Sequence, residues 1–199
     1  SMTLTPMVLT GRMTKKQHPD CKVVFIGPCA AKKLEASRKS VRSDIDFVLT
    51  FEEMMGIFDA KSIEFDKLET EPPLNTSSSL GKGFAASGGV AAAVVNAINC
   101  LDPDMDVKTV KAEGLKECKT MLAKAKAGMY DGYLLEGMAC PGGCMGGAGV
   151  LADVRKATIG LEQQKKTSQF EKPSRSDFLK YLHLITKEDL YKNENENQD

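Results

Sequence analysis

Two cysteines in a glycine-rich stretch are the residues of this chain whose types and spacing point most directly to chemistry. Cys140 and Cys144 lie within residues 136–149, a segment in which six of fourteen residues are glycine. Iron–sulfur clusters are bound by cysteine thiolates, and glycines let backbone N–H groups approach the cluster sulfurs closely. We therefore interpret the segment as a cluster-binding loop. The alternative is a turn between a strand and a helix, in which both cysteines are simply small buried residues.

A third cysteine, Cys29, directly follows residues 22–27, whose β-branched and aromatic composition predicts a buried parallel strand. Cys140 also follows a predicted strand, and ligands of an open parallel sheet bind beyond the carboxyl ends of its strands. We therefore expect Cys29, Cys140 and Cys144 to converge at one sheet edge. Lys32 would direct an ammonium group to an anion in the same crevice, unless it is an ordinary solvated lysine. A zinc site is disfavoured, because zinc knuckles space their cysteines more tightly and both histidines stand alone in the sequence.

The segment 84–89 precedes an Ala- and Val-rich run, Val90–Asn99, that predicts a helix capped by Ser87. The N-terminus of such a helix exposes N–H groups and favours an anion. Ser87 is therefore either a helix cap alone or also a contact to a bound cluster. The glycine spacing matches neither a Walker motif nor a dinucleotide-binding fingerprint.

The other three cysteines fit a shared cluster less well. Cys21 precedes the first predicted strand and would lie about 20 Å from Cys29, at the opposite sheet edge. Cys100 would lie roughly 18 Å from Ser87, at the far end of the predicted helix. Cys118 follows a strand end by one helical turn, and we assign it to the core in preference to the cluster.

The composition is that of an ordinary globular protein. The 199 residues include 27 Lys plus Arg and 27 Asp plus Glu, so the formal net charge is zero. Nucleic acids and anionic membranes bind clustered cations, and a bilayer span needs a longer apolar stretch than this chain has. We therefore expect no nucleic-acid or membrane partner, a cytoplasmic location, and cysteines that serve as thiols or metal ligands.

The order of the predicted elements indicates an α/β fold, with a parallel sheet flanked by helices and right-handed crossovers. A capping box of Thr50 and Glu53 opens one helix. The stretch Thr70–Leu80 is interpreted as a loop that separates two βα-rich halves, and an amphipathic helix is expected at Asp177–Tyr191. Strands are predicted at residues 22–27, 46–49, 107–111 and 132–136. Helices are predicted at residues 30–38, 90–99 and 115–127, with one more that begins at residue 50 and another that follows the glycine-rich loop and extends to residue 163.

Two of these segments resemble the cysteine motifs of iron-only (FeFe) hydrogenases. Residues 136–149 resemble the last cysteine motif of that family, and residues 27–35 resemble the middle one. They occur in the family order, with residues 84–90 between them, and residues 46–54 are also similar. The resemblance extends over roughly residues 3–165, and it implies the fold of one lobe of the iron-only hydrogenase catalytic domain.

The resemblance implies an H-cluster, in which a 4Fe-4S cubane is joined through a cysteine to a two-iron unit that carries CO, cyanide and a dithiolate bridge. It implies that Cys29 and Cys140 bind the cubane and that Cys144 bridges the two parts. The implied activity is that of an oxidoreductase, which reversibly oxidises H2 to protons and electrons, with the electrons leaving through the cubane.

The same resemblance implies roles for residues near the two-iron unit. Lys32 matches the lysine that donates a hydrogen bond to a cyanide ligand, and Glu35 matches a nearby structural acid. Met138 and Phe84 match residues that pack about the two-iron unit, and Ser87 stays a candidate cluster contact.

The chain departs from the family pattern in three places. It has no counterpart of the opening Thr-Ser-Cys-Cys-Pro motif, which supplies the fourth cubane cysteine and the proton-relay cysteine. Gly27 stands where well-studied catalytic members have methionine, and residues 146–150 lack the usual third glycine and following proline. The first departure leaves the H-cluster incomplete, and the other two are typical of sensory or otherwise divergent members.

We therefore expect a C-terminal piece of a longer hydrogenase-like protein, in which Ser1 is a cloning scar. Alone, it would be inactive and would hold no cluster. The expected partners are the missing N-terminal lobe of the same protein, ferredoxin or another redox partner, and maturation proteins. The expected domains are the lobe at residues 1–165, a linker and amphipathic helix at 166–192, and a disordered tail at 193–199.

Three alternatives stay open at this point. One is a hydrogen- or redox-sensing signalling module built on the same cluster domain. Another is a non-hydrogenase iron–sulfur assembly protein of the same superfamily, in which Lys32 has no cyanide to contact. The third is a thiol–disulfide switch formed by Cys140 and Cys144.

Overall fold

The structure is a computed structural model that describes residues 3–69, 76–187 and 189. The chain forms two compact units, and the first of them comprises Ser1–Leu68, Ala148–Leu151 and Phe178–Asp199. The second comprises Glu69–Gly147 and Ala152–Asp177. Glu69, the first residue of the second unit, directly precedes the loop Thr70–Leu80 that was predicted to separate two βα-rich halves. No helix among the described residues is long and apolar enough to cross a bilayer.

In the first unit, two short parallel strands pair with each other and helices pack against them. The strands align from Val24 opposite Phe47 to Gly27 opposite Thr50. Its elements, in chain order, are α1 (Pro6–Gln17), β1 (Val24–Gly27), α2 (Ala31–Ser37), β2 (Phe47–Thr50) and α3 (Phe51–Ala60), with 3₁₀ helices at Phe65–Lys67 and Asp177–Leu184.

The core of the first unit lies against one face of this sheet. Phe25 and Val48 are paired across β1 and β2, and both pack against the buried cluster. Because side chains alternate along a strand, Val24 and Phe47 point to the other face, where both are exposed. The buried cluster consists of Leu4, Met7, Val8, Val41 and Ile45.

Of the helices in the first unit, α3 was predicted from the sequence and α1 was not. The capping box of α3 is confirmed, since Glu53 N donates to Thr50 Oγ1 over 3.2 Å and Thr50 N donates to the Glu53 carboxylate over 2.8 Å. Helix α1 was not predicted. Its one local signal is Pro6 at the first helical turn, and burial of Met7 and Val8 then stabilises it.

The second unit is built around a second parallel pair of strands. Thr109 lies opposite Leu134, and Glu113 lies opposite Met138. Its elements are α4 (Ser79–Gly83), α5 (Gly89–Leu101), β3 (Thr109–Glu113), α6 (Gly114–Lys126), β4 (Leu134–Met138) and α7 (Val154–Lys166), with 3₁₀ helices at Gly143–Gly146 and Pro173–Arg175.

Cys118 lies in α6, over the carboxyl ends of β3 and β4. Its Sγ atom is 3.7 Å from the Ala112 carbonyl oxygen and 3.6 Å from that of Met138. A Cβ atom built at Gly137 would lie 3.2 Å from the same sulfur. The thiol therefore packs between helix and sheet, as the assignment of Cys118 to the core predicts.

The α/β class and the parallel strands are as predicted, but the single sheet is not. The four strands of the described residues form two separate two-stranded sheets, β1 with β2 and β3 with β4. Cys29 and Cys140 therefore follow strands of different sheets, so they do not share one sheet edge as predicted.

Two further predictions need correction. Residues 70–75 of the predicted loop lie outside the described residues, and its end is helical because the Ser78 hydroxyl accepts a hydrogen bond from Gly81 N and caps α4. The predicted amphipathic helix at Asp177–Tyr191 is a 3₁₀ helix over Asp177–Leu184, and residues 188, 190 and 191 of it lie outside the described residues. The predicted tail at 193–199 lies outside the described residues.

Candidate metal centre

The cysteine loop has a backbone that only its glycines allow. Gly142 and Gly143 have φ angles of 80° and 68°, in the left-handed region that L-residues with side chains rarely adopt. Gly143 N donates to the Cys140 carbonyl over 3.1 Å, and Gly147 N donates to that of Cys144 over 3.1 Å. The result is a tight double turn that contains both cysteines.

This loop packs directly on the backbone that precedes α5. Cys144 N donates a 2.8 Å hydrogen bond to the Ala85 carbonyl. A Cβ atom at Gly143 would lie 2.8 Å from the Ala85 carbonyl oxygen and 2.9 Å from Ser87 N, so any side chain there would collide with the backbone. The glycines thus permit close approach, which is the property that a cluster-binding loop requires.

Ser87 does not cap α5, contrary to the prediction. Its hydroxyl oxygen is buried and makes no hydrogen bond of good geometry within the described part of the chain, and the N-cap residue is Gly88. The Glu136 carboxylate occupies the helix N-terminus instead, where it accepts 2.6 Å hydrogen bonds from Gly88 N and Ala91 N. The anion that this helix end favours is therefore supplied by the protein itself.

Met138 and Phe84 both belong to the second unit. Met138 ends β4, two residues before Cys140, and is half-buried. Phe84 follows α4, where its N–H donates to the Gly81 carbonyl over 3.2 Å, and it is also half-buried. Both residues thus lie close in sequence to the loop or to the backbone that the loop contacts.

Cys29 lies in the first unit, in the turn between β1 and α2. Lys32 N donates to the Cys29 carbonyl over 3.3 Å, and Gly149 N donates to the neighbouring Pro28 carbonyl over 3.0 Å. The sheet and the Gly149 segment together hold the turn that carries the Cys29 thiol.

Lys32 is held in place rather than solvated. Its ammonium group lies 2.5 Å from one oxygen of Glu35, and the Thr5 hydroxyl donates to the other oxygen over 2.5 Å. The Lys32 side chain is only 23% exposed. Lys32 thus differs from a fully solvated lysine, and Thr5 is a supporting residue that sequence reasoning missed.

Comparison with known proteins identifies the family. Residues 1–148 match the family model of the iron only hydrogenase large subunit, C-terminal domain. The chain belongs to this family.

Relatives within this family include hydrogenases and proteins with other names. Iron hydrogenase 1 of Clostridium pasteurianum is 30% identical over 190 aligned positions, which cover 75% of this chain and 33% of the relative. The cytosolic Fe-S cluster assembly factor NAR1 of Kluyveromyces lactis is 28% identical over 119 positions, which cover 55% of this chain and 25% of the relative. The chain spans a quarter to a third of the length of these relatives.

Solved structures of iron-only hydrogenases share the fold of this chain. A structure of apo FeFe-hydrogenase HydA1 from Chlamydomonas reinhardtii aligns with a TM-score of 0.69 and 21% sequence identity. The alignment covers 92% of this chain and 64% of that one. The sequence motifs had implied the fold of one lobe of the hydrogenase catalytic domain.

The donor set fits an iron–sulfur cluster of this family in part. The cysteines of the two matching motifs provide three thiols, none of them in a disulfide, whereas a cubane takes four protein ligands. No group of three or more Cys, His, Asp or Glu side chains in the described ranges is arranged to hold a single metal ion. A four-iron cluster is wider than one ion, so its ligands lie further apart, and the convergence of the three thiols stays a prediction.

Two carboxylates near the cysteine loop were missed by sequence reasoning. Glu136 supports the N-terminus of α5, and Glu113 accepts a 2.7 Å hydrogen bond from Gly142 N within the loop. Glu113 ends β3, whereas Glu136 is the middle residue of β4. The rule that functional groups collect at the carboxyl ends of parallel strands would have found Glu113.

Proposed function

We propose that this chain supplies three thiolates, those of Cys29, Cys140 and Cys144, to the H-cluster of an iron-only hydrogenase. When bound, that cluster would supply the site at which H2 is reversibly oxidised to protons and electrons. The observation that carries the proposal is the held ammonium group of Lys32, three residues after Cys29. A protein that binds only cubanes has no cyanide ligand for this cation to contact.

The contacts of Lys32 suit the recognition of an anionic ligand. An ammonium group carries three N–H donors, so a bond to Glu35 leaves two for a ligand. The Thr5 hydroxyl donates to the second oxygen of Glu35 and thereby fixes the carboxylate that binds Lys32. A lysine that is already fixed loses less side-chain conformational entropy when it binds a ligand than a mobile surface lysine does. Lys32 is thus suited to hold a cyanide by a charge-assisted hydrogen bond.

The cysteine loop would perform the second task, which is to present Cys140 and Cys144. Its glycines allow the backbone to lie against the Ala85–Ser87 segment, and Ser87 would contact the cluster at that point. Met138 and Phe84 would pack about the two-iron unit and limit its exposure to water. The fourth cubane ligand would come from the N-terminal lobe of the same protein, and electrons would pass to ferredoxin or a similar redox partner in the cytoplasm.

Infrared spectroscopy on the intact protein, produced together with hydrogenase maturation proteins, tests the proposal. We expect bands from metal-bound CO and cyanide in the wild-type protein. Cys144→Ser should lose these bands, because Cys144 is proposed to join the two-iron unit to the cubane. Cys100→Ser is the matched control, since Cys100 is exposed on α5, and it should keep them. Wild-type protein that has cubane absorption but no CO or cyanide bands would contradict the proposal.

A second candidate is an iron–sulfur protein that binds cubanes without the two-iron unit. The similarity to the relative named as an Fe-S cluster assembly factor favours it. In that case Lys32→Met should leave cluster content and absorption unchanged. Under the first proposal, the same substitution should shift the cyanide bands, because the ligand loses its cationic donor.

A further inference from the structure

Glu113 places a carboxylate beneath the cysteine loop. It is the last residue of β3, is half-buried, and accepts a 2.7 Å hydrogen bond from Gly142 N through Oε2. The Gly142 N–H and then the nearby Ser87 hydroxyl lower the pKa of Glu113 below its ordinary value. The carboxylate is therefore ionised at neutral pH, and its bond to the loop is charge-assisted.

The loop needs such an anchor because of its composition. Glycines lose more conformational freedom on folding than other residues, and Gly142 and Gly143 both adopt left-handed conformations. The Glu113 side chain is bonded to the loop backbone between Cys140 and Cys144. The bond from Cys144 N to the Ala85 carbonyl is a second support.

We propose that Glu113 is a positioning residue, which holds the peptide N–H of Gly142 and thereby fixes the Cys140–Cys144 pair in its ligating conformation. No cysteine motif contains Glu113, and it acts through the loop instead of touching a cluster. The ligand role of the two cysteines rests on the proposed function, whereas the anchoring of the loop does not.

Thiol alkylation of the purified chain tests the anchoring without any cluster. Iodoacetamide is added in a time course, and mass spectrometry gives the rate at Cys140 and at Cys144 relative to exposed Cys100. We expect Glu113→Ala to raise both relative rates about tenfold, since the loop loses a hydrogen bond to a charged group. Glu113→Gln keeps an acceptor oxygen, so its rates should stay within about threefold of wild type. Glu162→Ala removes a charge from exposed α7 and should change nothing.

The alkylation rates can support or overturn the anchoring role of Glu113. Equal relative rates in Glu113→Ala and wild type, with Cys118 still protected between α6 and the strands, would overturn the proposal. A Gln variant as reactive as the Ala variant would also overturn it, because the acceptor oxygen would then be irrelevant. If the Ala variant unfolds, which reactive Cys118 would reveal, wild-type rates in the Gln variant still support the anchoring. Infrared bands report on the cluster independently, so failure of the two proposals can be told apart.

Discussion

At the scale of single residues, Gly27 stands where catalytic members of the family are expected to have methionine. The structure shows what a side chain at this position would meet. Gly27 is buried, and a Cβ atom built on it would lie 2.7 Å from Cε1 of Phe25. The two residues are on the same face of β1, two positions apart. The Phe25 ring therefore fills space that a side chain at position 27 would need. The methionine expected of catalytic members would not fit beside this phenylalanine.

The Phe25 contact leads to a prediction about paired substitutions. Gly27→Met should lower the free energy of unfolding by about 1–3 kcal/mol, because an overpacked core forces side chains off their preferred positions. Phe25→Leu makes room, so the double variant should lose less stability than the sum of the single variants. Urea denaturation of the four proteins measures the coupling. Strict additivity would mean that the ring does not compete for the space.

At the scale of elements, the start of α3 combines two signals. Glu53 closes the capping box with Thr50 and also forms an ion pair with Lys33 of α2, with N–O distances of 2.6 and 2.8 Å. The hydrogen bond from Lys33, followed by the one from Thr50 N, lowers the pKa of Glu53 from its ordinary 4.5 to about 2. The carboxylate thus links α3 to β2 and to α2.

The lowered pKa of Glu53 predicts how the stability of this unit depends on pH. A depressed pKa in the folded state stabilises the protein above the unfolded value of 4.5, and this contribution is lost as pH falls toward 2. Wild type should therefore be more stable than Glu53→Gln at neutral pH, and the difference should shrink across that window. Urea titrations of both proteins at decreasing pH measure it. A difference that does not depend on pH would show that the charge of Glu53 contributes nothing.

At the scale of the whole molecule, one face of the β1–β2 sheet is uncovered. Val24, Ile26 and Phe47 lie on it and are 46%, 46% and 61% exposed. Parallel sheets are normally covered on both faces, and exposed apolar patches of this kind mark interaction surfaces.

The uncovered face predicts that the isolated chain self-associates. Phe47→Glu should weaken this association by at least about tenfold, since a carboxylate buried in an apolar contact is unpaired. Leu122→Glu, at a 61% exposed position of α6, is the matched control and should leave association unchanged. Sedimentation velocity over a concentration series measures both. Equal effects of the two substitutions would show that the sheet face is not the contact.

The sequence predicted an element well where the residues that signal it lie within a few positions of one another. The strand before Cys29, the helix opened by Thr50 and Glu53, and the Ala-rich helix after Gly88 all lie within a few residues of their predicted bounds. Helix α1 was missed, because Pro6 is a weak signal and its stability comes from burial against residues such as Ile45.

The sequence by itself determined the α/β class, the family motifs and the three candidate thiols, because these depend on residue types at short spacing. Only the tertiary structure decided that the strands form two sheets, that Glu136 occupies the N-terminus of α5, and that Thr5 binds the Glu35 carboxylate. The physical reason is that strand pairing and carboxylate partners join residues tens of positions apart. Such pairings are selected by packing and burial of the whole unit.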